Sequence, residues 1–281
     1  MNRINVCALI LLATGCSSLV DDPCSEGYHL QEGRCVEAVV PQPPSQPPSP
    51  PVLCIFQESD PMNCGECNHV CASGICDVSQ CVGENSGHVV LIGHDYARYN
   101  PAMAQVLGNA ITLANRHDVG IARLADSTTP NSANGTGAAI TTVMTDLGRP
   151  WHEALLPAPG EPLTGVDVLI VFARVGNPDT ALAAGAAWSR SIDELLDRAG
   201  VVIVLEGAGG VGYRFAEGAT MFNVGPPLDV TRELTMVNDA QDAVVQHVVS
   251  PYLADSTSVA FPGQTGVIGV PAGAVVVHLT R

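Results

Sequence analysis

The chain has 281 residues, 46% apolar and only 4% aromatic, which is enough for one sizeable core with appendages and too apolar for a disordered chain. Its 28 acidic residues outnumber 12 basic ones for a formal net charge of -16, and every basic residue is Arg. The absence of Lys excludes Schiff-base chemistry, a P-loop lysine and a Ser-Lys dyad, and the shortage of positive charge argues against nucleic acid as a partner.

The N-terminus carries one positive charge at Arg3, an apolar run from Val6 to Ala13, and small residues before Cys16. A membrane span needs roughly 20 apolar residues, so this run fits a secretory signal instead. Leu12-Ala13-Thr14-Gly15-Cys16 resembles the bacterial lipobox, with Ala13 where Leu is commonest. The resemblance implies that residues 1–15 are removed and that Cys16 is acylated, anchoring the chain to a membrane of the cell envelope. By resemblance to enterobacterial lipoprotein sorting, Ser17 and Ser18 in place of Asp imply the outer membrane. The alternative is an ordinary cleaved signal with Cys16 left free.

All ten cysteines occur at or before Cys81. With Cys7 removed and Cys16 lipidated, Cys24, Cys35, Cys54, Cys64, Cys67, Cys71, Cys76 and Cys81 remain, an even set that reads as disulfides in an exported chain. The acidic segment 16–40 holds Cys24 and Cys35, a natural first pair because the proline tract isolates them from the rest. The linker 41–53 has seven prolines between Pro41 and Pro51, which favours a polyproline II stalk about 30 Å long. In the module 54–87, Cys64, Cys67, Cys71 and His69 also permit a zinc knuckle, a reading disfavoured outside the cytosol. The segment Asn63 to Cys71 with Cys76 and Cys81 is similar to short cysteine-rich modules of exported myxobacterial proteins, which implies a stapled spacer or adhesion module without catalytic residues.

The cysteine-free domain 88–281 alternates apolar runs with helical stretches. Val89–Ile92 predicts a strand buried on both faces. Asn100-Pro101 opens a helix to about Asn115 by the cap-then-proline signal. Val119–Leu124 is a second strand, Asp126–Gly137 a polar loop, and Ala138–Leu147 a helix. Val166–Phe172 is a third strand, Asn177-Pro178 opens a helix through Ala199, and Val201–Leu205 is a fourth strand. Shorter apolar runs follow at Met221–Val224, Leu234–Val237, Val259–Phe261 and Ala274–Leu279. This order predicts an α/β fold, a doubly wound, flavodoxin-like, mostly parallel sheet with a mixed edge, preceded by a small disulfide-rich segment.

Val89-Val-Leu-Ile-Gly93, Gly165-Val-Asp-Val-Leu-Ile-Val171, the Ala-rich stretch with Trp188 and Leu195-Leu196, and Ala199-Gly-Val-Val-Ile-Val-Leu-Glu-Gly-Ala-Gly-Gly210 together resemble the class I glutamine amidotransferase-like fold near the trehalose-utilisation family. That fold places a nucleophilic Cys in the turn after a central strand. Here the matching turn carries Glu206-Gly207-Ala208-Gly209 and the domain has no Cys, so thiolate chemistry is not inherited.

Ligands of open α/β sheets gather beyond the carboxyl ends of the strands. Those ends hold His94, Asp95, Asp126, Arg174 and Glu206. His94, Asp95 and Glu206 are the candidates for acid–base work, alone or around a divalent ion, while Asp126 and Arg174 are candidates for ligand binding, Arg174 toward an anionic group. Gly207 and Gly209 belong to a G-x-G-x-x-G run whose amides suit a phosphate, although Tyr213–Ala219 offers little helix behind it. No G-x-S-x-G elbow exists, and no resident cofactor or metal is expected. His247 and His278 read as partly buried structural histidines. The sequence therefore favours a non-catalytic binding or assembly module with an unknown ligand or envelope partner, and as the alternative a carboxylate-based or metal-dependent hydrolase.

Overall fold

A computed structural model describes residues 86–116, 118–255 and 257–281, together with the backbone of four short strand segments that precede them. The chain divides into two compact units, 1–53 and 54–281. In the first, Tyr28–Gln31 pairs antiparallel with Arg34–Glu37, which sets Leu30 opposite Cys35. In the second, Cys76–Asp77 pairs with Gln80–Cys81, which sets Cys76 opposite Cys81. The lipidation expected at Cys16, the linker and the expected disulfide sulfurs lie outside the described residues and side chains.

The second unit is built on a nine-stranded mixed sheet. Strands β1 (His88–Ile92), β2 (Val119–Leu124), β3 (Trp151–Glu153), β4 (Val168–Val171) and β5 (Val201–Leu205) run parallel in the spatial order β3-β2-β4-β5-β1. Two later strands, β6 (Leu228–Asp229) and β9 (Val259–Ala260), form a separate pair. The others extend the sheet antiparallel beyond β1: β11 (Gly273–Thr280), then β10 (Ile268–Val270), β7 (Leu234–Val237) and the edge strand β8 (Tyr252–Leu253). The mixed edge expected from the sequence is this antiparallel wing.

Helices α1 (Pro101–Thr112), α2 (Pro130–Asp146), α3 (Pro178–Leu196) and α4 (Gly212–Gly218) cover the parallel part. Strand residues alternate between two cores, as the pleat requires. Val90, Ile92, Ile121, Ile170 and Ile203 pack with Met103, Leu107, Ile111 and Ile140 of α1 and α2. Val89, Leu91, Leu169, Val202 and Val204 pack with Trp188, Ile192 and Phe215 of α3 and α4. Each such aliphatic side chain contributes about 1.5–3 kcal/mol on leaving water, which is why unbroken Val/Ile/Leu runs end up here.

Three helices begin alike. Asn100, Thr129 and Asn177 each accept a backbone N–H with their side chain, and a proline follows whose fixed φ suits the first turn. This corrects the loop expected over Asp126–Gly137: α2 starts at Pro130, because the Thr129-Pro130 cap outweighs the polar, glycine-rich composition. Gly135 has a packing role there, since a side chain would collide with the Tyr96 carbonyl. A second correction is α4, a helix where little was expected. The strand expected over Val166–Phe172 is the four-residue β4, and the apolar run Met221–Val224 is irregular, with Met221, Phe222 and Val224 buried.

Chain direction across the sheet reverses after β3. The β2 to β3 step runs outward with α2 on one face, while β4 to β5 runs inward with α3 on the other, as right-handed crossovers demand. Neighbouring strands thus send their following segments to opposite faces at two places, between β1 and β5 and between β2 and β4. In open α/β sheets ligands gather at such points.

Candidate functional site

At the first of these points, beyond the ends of β1 and β5, lie His94, Asp95 and Glu206. β1 and β5 are in-register neighbours, Ile92 opposite Leu205, so the residues just beyond them sit side by side. His94 is completely buried; its Nδ1 bonds to Ser258 Oγ at 2.8 Å and its Nε2 to Tyr252 Oη at 3.0 Å. Burial lowers its pKa to about 4, against the opposing pull of Asp255 and of the Gly93 backbone. Asp95 accepts from Ala97 N at 3.0 Å and from Ser132 Oγ at 3.1 Å, and also bonds to Thr257. Gly207 packs against it so closely that an added Cβ would stand 2.7 Å from the Asp95 Cβ.

Glu206 is fully buried and faces backbone. Its Oε1 accepts from Gly207 N at 3.0 Å, its Oε2 from Tyr213 N at 2.7 Å, and the Gly212 amide adds a third bond. Burial pushes its pKa up to about 7, partly offset by these amides and reinforced by the negative charge of Asp95. The chemistry of the glycine run follows. Val211 provides no side-chain cap for α4, and the Glu206 carboxylate takes the orphan N–H groups of its first turn instead. The amides that would suit a phosphate are therefore engaged by the protein's own carboxylate. Gly209 sits apart at the exposed loop tip with φ at +72°.

At the second point, beyond the ends of β2 and β4, lie Asp126 and Arg174. Arg174 is 2% exposed, and its Nη1 and Nη2 donate to Asp126 Oδ1 and Oδ2 at 2.7 and 3.0 Å. Its guanidinium carbon lies 5.3 Å from the centroid of the Phe215 ring, a cation–π distance. Asp126 itself thus supplies an anion to Arg174, and the two proposed ligand groups stand paired with each other.

His94, Asp95, Asp126, Arg174 and Glu206 all follow strands of the parallel part, and the structure sorts them into two groups. Strand-end reasoning missed Ser132, Tyr252, Thr257 and Ser258, which complete the first group. Only Ser132 had a local signal, the Thr129-Pro130 cap that brings it to the start of α2. Among the described residues no group of three or more His, Cys, Asp or Glu is arranged to hold a metal ion, and no helix is long and apolar enough to cross a membrane. At the opposite ends of β1 and β11, buried His88 Nδ1 lies 3.0 Å from His278 Nε2, and His278 Nδ1 lies 2.7 Å from Asp242 Oδ2. Burial, reinforced by His278, lowers the His88 pKa to about 4 against the pull of Asp242. His278 is partly buried as expected, whereas His247 is exposed.

No protein-family model and no curated protein matches this chain. Among solved structures, a peptidase from an acI-B1 Actinobacterium aligns with 43% of the chain at 14% identity and a TM-score of 0.29, and the aligned part spans 54% of that chain. So slight a likeness carries no argument about fold or activity.

Proposed function

We propose that the chain is a catalytically silent ligand-binding or assembly module of the cell envelope, held at the outer membrane by acylated Cys16 and displayed on the proline-rich stalk. The domain is read as doubly wound and amidotransferase-like with the nucleophile missing. One observation carries the silent reading: His94, Asp95 and Glu206 are all buried, and each is bonded to protein partners. A general base must reach the proton it abstracts, and these side chains reach other parts of the fold. Glu206 in particular caps α4 at the turn where the resembled fold keeps its Cys.

The hydrolase alternative has one point in its favour, a carboxyl with a pKa of about 7 at a strand end. Assays of the full chain against chromogenic esters, amides and phosphoesters, with and without added divalent metal, decide between the two. The expected result is no turnover that Glu206→Gln or Asp95→Asn abolishes; turnover lost in those variants would replace the silent reading with the hydrolase. In a bacterial host, Cys16→Ser should move the protein from the membrane to the soluble fraction, and unchanged membrane partitioning would remove the anchor.

A further inference from the structure

Both places at the strand ends that suit an anion are filled by the chain's own carboxylates, but the two are held very differently. Glu206 is fully buried among three amides and cannot leave without exposing them to a void. Asp126 projects from an exposed turn, its side chain is 58% exposed, and among the described residues it bonds to Arg174 alone. An exposed carboxylate loses little on returning to water. Arg174 has no such freedom, because a buried guanidinium left without a partner is strongly unfavourable. Asp126 can therefore depart only in exchange for another anion.

The arrangement around Arg174 is also incomplete with Asp126 in place. The pair uses the two terminal nitrogens, while Nε is buried and without a hydrogen-bond partner. Thr128, whose backbone bridges to Arg174, likewise has a buried, unpartnered Oγ1. Buried polar atoms without partners are uncommon, and each calls for an explanation, a bound polar group among them. These two belong to residues following β2 and β4, neighbouring strands whose following segments leave to opposite faces.

We infer that Arg174 is the receptor for one carboxylate group of a small ligand, and that Asp126 is an internal plug which the ligand displaces. This rests on the reading of the domain as a binding module. The planar guanidinium fork, held in place over Phe215, already grips a carboxylate through both oxygens, so the plug shows the shape and charge of what replaces it. A single Arg in a chain without Lys matches one negative charge better than a phosphate dianion. The Arg174 Nε and Thr128 hydroxyl, buried and unpartnered with Asp126 in place, can meet further polar atoms of the ligand only once the plug has moved.

The test follows the Tm of the full chain against sodium acetate, with ionic strength held constant by sodium chloride, and against inorganic phosphate in a parallel series. Wild type should show a saturable rise with acetate. Asp126→Asn should reach half of its rise at roughly tenfold less acetate, because the competing carboxylate is gone. Arg174→Lys should show no rise, since an ammonium group lacks the fork. No saturable rise in either wild type or Asp126→Asn overturns the proposal, as does a response of Asp126→Asn to phosphate at lower concentration than to acetate. Should Arg174→Lys fail to fold, the Arg174 Nε–H resonance of wild type decides instead: a shift on acetate addition supports the site and an unmoved resonance overturns it. Failure here leaves the binding-module reading standing, because a ligand of another class can use the same strand ends. Hydrolytic turnover combined with an intact acetate response would do the reverse.

Discussion

Residue by residue, the buried ionisable groups set opposing pH dependences. His94 and His88 titrate at about 4 in the fold against 6.5 when unfolded, so below 6.5 the unfolded chain takes up protons that the fold refuses. Their stabilisation is complete above 6.5 and is lost as pH falls toward 4. Glu206 works the other way: its carboxyl titrates at about 7 in the fold against 4.5 unfolded, so stability declines as pH rises from 4.5 to 7. Each group accounts for about 3 kcal/mol across its window. Two histidines against one glutamate should make stability climb from pH 4.5 to 6.5 and then dip slightly. Glu206→Gln removes the opposing carboxyl, so its stability should fall below pH 6.5 with roughly twice the wild-type slope. It should also cost about 1–3 kcal/mol throughout, because an amide NH2 must face one of the N–H groups that the carboxylate accepts from. Urea denaturation across pH 4–8 checks both, and equal slopes would show that Glu206 is not the opposing group. Positions such as these were legible in the sequence because apolar runs end at them. Their partners were not: Tyr252 and Ser258 lie 158 and 164 positions from His94 along the chain, and no local pattern joins them.

At the scale of elements, sequence was most informative where local chemistry decides and least where packing does. β5 was expected over its observed bounds, since five consecutive Val, Ile or Leu residues fit little but a strand buried on both faces. α4 was undervalued because Gly212-Tyr-Arg-Phe-Ala-Glu-Gly218 has glycine at both ends and poor intrinsic helix propensity. It forms because Glu206 caps it and because α3 lies hard against it. Two glycines make that approach possible. A side chain at Gly185 of α3 would collide with the Phe215 carbonyl, and one at Gly218 of α4 would collide with the Leu182 carbonyl. Gly185→Ala and Gly218→Ala should therefore each cost about 1–3 kcal/mol or more, by forcing the helices apart. Together they should cost less than the sum, because one separation relieves both collisions. Gly209→Ala is the control: nothing lies within 4 Å of its added Cβ, and only the positive φ is penalised, by about 1–2 kcal/mol. A double-mutant cycle measured by denaturation reads the coupling, and strict additivity would mean that the two contacts yield independently.

Across the whole molecule, the described core belongs to the cysteine-free part. Both hydrophobic clusters draw their residues from Val89 to Val277, and among the described residues the Arg281 N–H donates to the Gly87 carbonyl at 2.8 Å, just before β1. The sequence already separated a cysteine-bearing, acidic, proline-rich stretch from an apolar, cysteine-free one, because redox chemistry and burial leave different compositions behind. What it could not supply was the position of β1, which turns out to join the two halves of the sheet: it pairs parallel with β5 on one side and antiparallel with β11 on the other. A fragment 86–281 keeps that strand and its Gly87 tie, and should unfold cooperatively with a Tm indifferent to reductant. A fragment 95–281 lacks β1. The parallel strands and the antiparallel wing then have no shared neighbour, Val90 and Ile92 leave one core and Val89 and Leu91 the other, and no cooperative transition should remain. Calorimetry of the two fragments tests the argument from both sides. A fragment 86–281 that aggregates unless residues 54–85 are restored would show that the cysteine-rich segment completes the fold, and a cooperative melt of 95–281 would show that β1 is not the strand on which the sheet depends.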